Sequence, residues 1–150
     1  MCSQRERTHM IETVVSVGLP VDEHLVVKKN RLQPEVLTGN EKRICIVTGT
    51  HGDELEGQYV CYELIRRIEE QKEKLKGIVD VYPAINPLGI DSITRGIPMF
   101  DLDLNRIFPG SLTDGAMSEY VAARIIEDME GADMAMDIHA SNIYLREIPQ

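Results

Sequence analysis

The six residues Arg43-Ile44-Cys45-Ile46-Val47-Thr48 run apolar almost without a break and then stop at Gly49-Thr50-His51-Gly52-Asp53-Glu54. A run that short has no polar face to turn toward water. It therefore predicts a strand covered on both sides, the kind found inside parallel sheets. Helices must then lie on both faces, and the carboxyl end of the strand opens onto the side where such sheets hold their ligands. The residues delivered to that side are a histidine and a glutamate three positions apart.

The rest of the chain predicts elements that fit around this strand. Thr13 to Gly18 and His24 to Lys29 are β-branched and alternating, which predicts two strands joined by a turn at Pro20-Val21-Asp22-Glu23. Val60, Cys61, Leu64, Ile65 and Ile68 recur at helical spacing with charged residues opposite, and the helix is expected to run on until Gly77 stops it. Ile78 to Ile85 predicts a further strand, with Pro83 weakening its far end. Met117, Val121, Ile125 and Met129 form a second helical stripe ending at Gly131, and Asp133 to Ile138 predicts a last buried strand. Alternation of strand and helix after residue 43 implies an α/β layer fold with a largely parallel sheet. Residues 1–42 supply N-terminal strands and 43–150 the core around the site, within one domain. The segment from Asn86 to about Asp114 carries six prolines and glycines and no period, so it is expected to be a long functional loop.

Asp137-Ile138-His139 repeats the pattern of an apolar run ending in histidine. His51, Glu54 and His139 together offer two nitrogens and a carboxylate, and three ligands with an open fourth position are what a catalytic zinc needs. Each also has a plainer reading. His51 and Glu54 suit the solvated start of a helix, where Glu54 favours the dipole, and His139 suits a satisfied core histidine. The net charge of −9 argues against a nucleic-acid partner, which needs clustered Lys and Arg. The lysines at 72, 74 and 76 are interleaved with glutamates, as on a solvated helix end. Cys2, Cys45 and Cys61 lack metal-type spacing and suit reduced, buried positions. No run approaches a membrane span and the N-terminus lacks an apolar targeting core, so a cytoplasmic location without membrane association is expected.

Four motifs in order, His51-Gly52-Asp53-Glu54, Asn86-Pro87, Asp103-Leu104-Asn105-Arg106 and Asp137-Ile138-His139, resemble the succinylglutamate desuccinylase/aspartoacylase family, relatives of the zinc carboxypeptidases. The resemblance spans about residues 43 to 142. It implies a mixed, largely parallel α/β sheet of the zinc carboxypeptidase type, with one Zn2+ per chain on His51, Glu54 and His139. It further implies that Asn105 and Arg106 hold the carboxylate of a small substrate, that Arg95 polarises the scissile carbonyl, and that Asp103 accepts a hydrogen bond from a ligand histidine, His51. The implied reaction is hydrolysis of the amide bond of an N-acyl amino acid. Peptide cleavage by a carboxypeptidase remains an alternative, as does a silent metal-binding domain that works with a partner. Cobalt, manganese or iron could also occupy such ligands.

The family's general base is a glutamate well downstream of the last ligand. Glu147 is the only carboxylate after His139 and stands too close to match it. The chain is therefore expected to correspond to the N-terminal half of such a deacylase, incomplete at its C-terminal end. A half-sheet of this kind would leave an unpaired edge and exposed apolar surface, which favours a homo-oligomer or a longer gene product.

Overall fold

The computed structural model describes residues 9–98, 100 and 102–144. Strand β1 (His9–Gly18) and strand β2 (His24–Leu32) form an antiparallel hairpin around a 3-10 turn at Pro20–Asp22. Then come β3 (Arg43–Thr48), helix α1 (Glu56–Glu70), β4 (Ile78–Tyr82), a short helix α2 (Pro87–Ser92), helix α3 (Met117–Met129) and β5 (Met134–Ile138). The five strands lie in the order β1-β2-β4-β3-β5. β3 pairs in parallel with both β4 and β5, as expected for the part after residue 43, whereas β2 joins β4 antiparallel. The result is a mixed sheet.

β3 leads through α1 to β4 on one side of it, and the chain returns through α3 to β5 on the other side. Alternate residues of a strand face opposite ways, so the sheet has two apolar faces to cover. Cys45, Val47 and Tyr82 pack with Val27, Val121 and Ile125 beneath α3. Leu32, Val81 and Cys61 pack with Leu64, Ile65 and Ile68 of α1 on the opposite face. Cys45 and Cys61 are free and buried, and burial pushes both thiols up, that of Cys61 to about 11, which leaves them unreactive. Cys2 lies outside the described residues.

Three expectations about the elements need correction. α1 ends at Glu70 and not at Gly77; its apolar stripe gives out after Ile68, and Leu75 rejoins the same cluster only after a 3-10 turn at Lys72–Lys74. A helix persists where a packed face holds it. Val60 sits at the rim of that stripe, 43% exposed, because the centre is taken by Gly57, which lies against Thr48 of β3, and by Cys61, which packs with Leu32 and Val81 of β2 and β4. The strand expected to be buried at 133–138 is β5 at the edge of the sheet, paired only with β3 among the described residues. Met134 and Met136 stand 53% and 43% exposed there. An apolar run encodes a wish for burial; a neighbour on each side is what grants it. The exposed edge is the one anticipated for a half-sheet.

The segment from Asn86 to about Asp114 also holds more structure than expected, in the form of α2. Asn86 caps this helix, its side chain accepting from the Gly89 N–H at 3.0 Å, and Pro87 follows as a residue pre-set for the first turn. No helix among the described residues is long and apolar enough to cross a membrane.

Candidate metal centre

The carboxyl end of β3 breaks at Gly49, whose φ of +70° turns the chain out of the sheet. The turn that carries His51 is then clamped against α2. Asn86 N–H donates to the Gly49 carbonyl at 2.9 Å, Asn86 Nδ2 to the Thr50 carbonyl at 3.4 Å, and Gly52 N–H to the Thr94 carbonyl at 3.0 Å. A Cβ on Gly52 would fall 1.9 Å from the Gly89 carbonyl carbon, so only glycine permits this approach. The Asn86-Pro87 motif thus builds the platform under the His51 turn.

His51 and Glu54 are buried there, 3% and 7% exposed. His139, one residue past β5, comes in from the neighbouring strand. Each of the three offers one ligand atom, and these atoms lie within 4.8 Å of one another. His51 Nδ1 is 2.7 Å from Glu54 Oε1, and His139 Nδ1 is 3.0 Å from Glu54 Oε2. The other nitrogen of each ring also meets a carboxylate. His51 Nε2 is 3.0 Å from Asp103 Oδ1, and His139 Nε2 is 2.9 Å from Asp137 Oδ2.

This donor set fits a divalent cation. A neutral imidazole donates from one nitrogen only, and an ionised carboxylate only accepts. Each ring here faces a carboxylate at both nitrogens. His51, Glu54 and His139 would hold a dication through both Nδ1 lone pairs and the carboxylate, and each Nε2–H would then be free to donate to Asp103 or Asp137, so that every group would be satisfied. Carboxylates behind ligand histidines fix the ring and raise its basicity. The mix of two imidazoles and one carboxylate suits zinc.

Electrostatics favour the ionised form of Glu54 and Asp103. Burial alone would raise the Glu54 carboxyl, but the Ala140 N–H at 2.9 Å and the two histidines outweigh it and hold it below the usual carboxylate range. Asp103 is likewise lowered: burial opposes the shift, while the His51 bond and the Asn105 N–H drive it.

Around the donors lies a polar recess of about 400 Å3, also lined by Arg95, Asn105 and residues 140–142. The Arg95 guanidinium stands 3.5 Å from both Glu54 and Asp103. Asn105 and Arg106 occupy a 3-10 turn begun by Asp103, which caps it by accepting from Asn105 N–H. Asn105 lines the recess. Arg106 is exposed beside it, does not line it, and makes no ion pair with a described residue. Asp103 stands behind His51 through its contact with Nε2. Glu147 lies outside the described residues. Asp137 and its partner Thr50 were missed, although residues two apart on a strand share a face, and that spacing relates Asp137 to His139. A smaller apolar cavity of about 210 Å3 between α3 and β5 offers almost no polar group. The polar groups converge on the recess instead.

Residues 40–146 match the model of the succinylglutamate desuccinylase/aspartoacylase catalytic domain. The chain belongs to this family. Among solved structures, an aspartoacylase family protein from Mesorhizobium loti is 28% identical with a TM-score of 0.73, the alignment covering 87% of this chain and 40% of that one. A succinylglutamate desuccinylase/aspartoacylase from Rhodobacter sphaeroides is 26% identical with a TM-score of 0.75, covering 95% and 43%. A metallo-carboxypeptidase from Burkholderia cenocepacia, 20% identical, shares the fold with a TM-score of 0.67, covering 92% and 38%. A comparison with curated protein sequences finds no match. The chain thus spans about two fifths of the length of these solved structures.

Proposed function

We propose that this chain carries the metal-binding part of a zinc-dependent hydrolase that cleaves the amide bond of an N-acyl amino acid. The observation that carries the reading is the convergence of His51, Glu54 and His139 at the base of an open polar recess, with a carboxylate behind each histidine. A cation held there supplies Lewis acidity, polarising a carbonyl and activating water as a nucleophile. The chain's own residues do the rest. Asn105 and Arg106 receive the carboxylate of the substrate, for which the planar guanidinium fork is suited. Arg95 turns from Glu54 and Asp103 toward the scissile carbonyl and stabilises the negative charge that develops on its oxygen. Asp103 and Asp137 keep the two rings aimed.

A second reading is favoured by one observation. Among the described residues that line the recess, Glu54 is the only carboxylate, and it is a ligand. Asp103 and Asp137 are engaged by the two rings, so no described carboxylate lining the recess is left to take a proton as general base. The chain would then bind metal and substrate carboxylate without turnover until a further segment or partner contributes the base.

One preparation, purified without chelators, tests both. Elemental analysis is expected to find about one zinc per chain, lost in His139→Ala; no metal in the wild type would overturn the reading. Release of free amino acid from N-acetyl and N-succinyl amino acids by the zinc-loaded chain supports the hydrolase. Full zinc occupancy without release supports the silent site.

A further inference from the structure

The two histidines are backed by carboxylates that are themselves held in different ways. Asp103 accepts at one oxygen, Oδ1, from His51 Nε2 and from the Asn105 backbone N–H, both at 3.0 Å. A backbone turn therefore sets its direction. Among the described residues, no backbone N–H caps Asp137, which meets only the Thr50 hydroxyl and the His139 ring. Its side chain is 35% exposed on the edge strand β5, where rotation toward water costs little, and His139 is equally open at 36%. What holds Asp137 is the hydroxyl of Thr50, which lies 3.0 Å from Oδ2 and 3.2 Å from Oδ1. Thr50 itself is 1% exposed, and its backbone carbonyl is tied to Asn86.

We propose that Thr50 is a positioning residue for the metal centre: its hydroxyl straps Asp137 across from β3 to β5 and so aims the His139 ring at the ion. The inference rests on the metal-centre reading above and deepens it. Three facts support it together. Thr50 directly precedes His51, so one turn of backbone presents a ligand on one side and the strap on the other. The strap joins the ends of two adjacent strands, the same two that deliver His51 and His139. And Asp137 Oδ2 is shared between Thr50 and His139, so the hydroxyl acts on the very oxygen that meets the ring. Without it, the edge-strand histidine keeps its place in the chain and loses its orientation. A buried hydroxyl is rigid by packing, whereas an exposed carboxylate alone is not.

The test uses the full chain with Co2+ alone as probe, reading the dissociation constant by chelator competition and the geometry by the visible absorption bands. Thr50→Val keeps the shape and removes the donor. It is expected to weaken Co2+ binding about 10-fold, at the lower end of losses for residues behind metal ligands, and to shift the bands. Thr50→Ser is expected to restore both. Asp137→Asn should shift the bands likewise, and Thr50→Val added to it should cost little more, since both act through one contact. Should Thr50→Val fail to fold, Thr50→Ala with and without Asp137→Asn carries the test, the alanine weakening Co2+ binding in the first background and costing little more in the second. Wild-type affinity and bands in Thr50→Val, equal weakening in Thr50→Ser, or additive losses in the double variant would each overturn the strap alone. No Co2+ binding by the wild-type chain would overturn the metal centre and the strap with it.

Discussion

Charge is concentrated at both ends of the central strands. On the amino-terminal side, Asp80 of β4 is fully buried and accepts from Arg31 Nε at 2.8 Å, from Arg31 Nη2 at 2.7 Å and from Arg43 Nε at 2.8 Å, with Lys29 Nζ 3.6 Å away. Lys29 in turn binds both oxygens of Asp128, at 2.8 and 2.7 Å, and Tyr82 donates its hydroxyl to the same carboxylate. Cations and anions there saturate one another, and the cluster ties β2, β3, β4 and α3 together. At the carboxyl side the balance differs. His51 and His139 each face a carboxylate at both ring nitrogens, beside an open recess, which leaves a place for a cation. A closed network stabilises or specifies a fold; an open one with converging lone pairs is suited to hold a cation.

The sharpest way to separate the two is to remove one member from each. Glu54→Ala or His51→Ala should abolish metal binding, taking stoichiometry by calorimetry from about one to none, while circular dichroism of the metal-free chain changes little. Retained stoichiometry would dissolve the distinction. Asp80→Ala should do the reverse by leaving three cations without their buried partner. Breaking a buried pair costs about 3–5 kcal/mol, which a urea titration will register as a lower midpoint, and a loss under about 1 kcal/mol, the worth of a surface pair, would show that the cluster does not staple the sheet.

The pH response sharpens the same contrast. Burial would raise the Asp80 carboxyl, but Arg31, Lys29 and Arg43 outweigh it and hold it below its ordinary value. The native state then binds fewer protons than the unfolded one, so this contribution is complete above the unfolded value of about 3.9 and is lost as pH falls through the lower folded value. Stability followed by denaturant midpoint should drop below about pH 4, and the drop should be shallower in Asp80→Asn; equal slopes would remove Asp80 from the account. A smaller effect is expected from Tyr82→Phe, which deletes one charge-assisted donor to Asp128 and should cost about 1.5–3 kcal/mol. Smallest is Arg106→Ala, which should leave metal content intact and weaken binding of a carboxylate ligand by about tenfold, or about 1.4 kcal/mol. Unchanged ligand affinity would take Arg106 out of the proposed clamp.

How far the sequence carries can be judged from particular residues. His51 and Glu54 were readable because a buried strand ended beside them, and His139 because a second strand did. Asp103 was readable only through a four-residue motif, since the 52 positions that separate it from His51 hide their contact. Asn86 and Pro87 were visible as a motif, but the helix they cap was not, because six residues give no periodicity to detect. Asp80 is a lone charge within the apolar run Ile78 to Ile85, with nothing beside it in the sequence to mark its partners. Its partners come from β2 and β3, whose register on β4 nothing local announces.

Local order, in the end, was set by the sequence alone: which segments alternate with period two or recur at helical spacing, and which strand ends carry histidine and glutamate, are properties of neighbours in the chain. Tertiary structure decided which strand became an edge, which cations closed on Asp80, and which carboxylate stood behind each ring. Those outcomes depend on strand order and register, and both follow from how two apolar faces are shared between α1 and α3 rather than from any single stretch of residues.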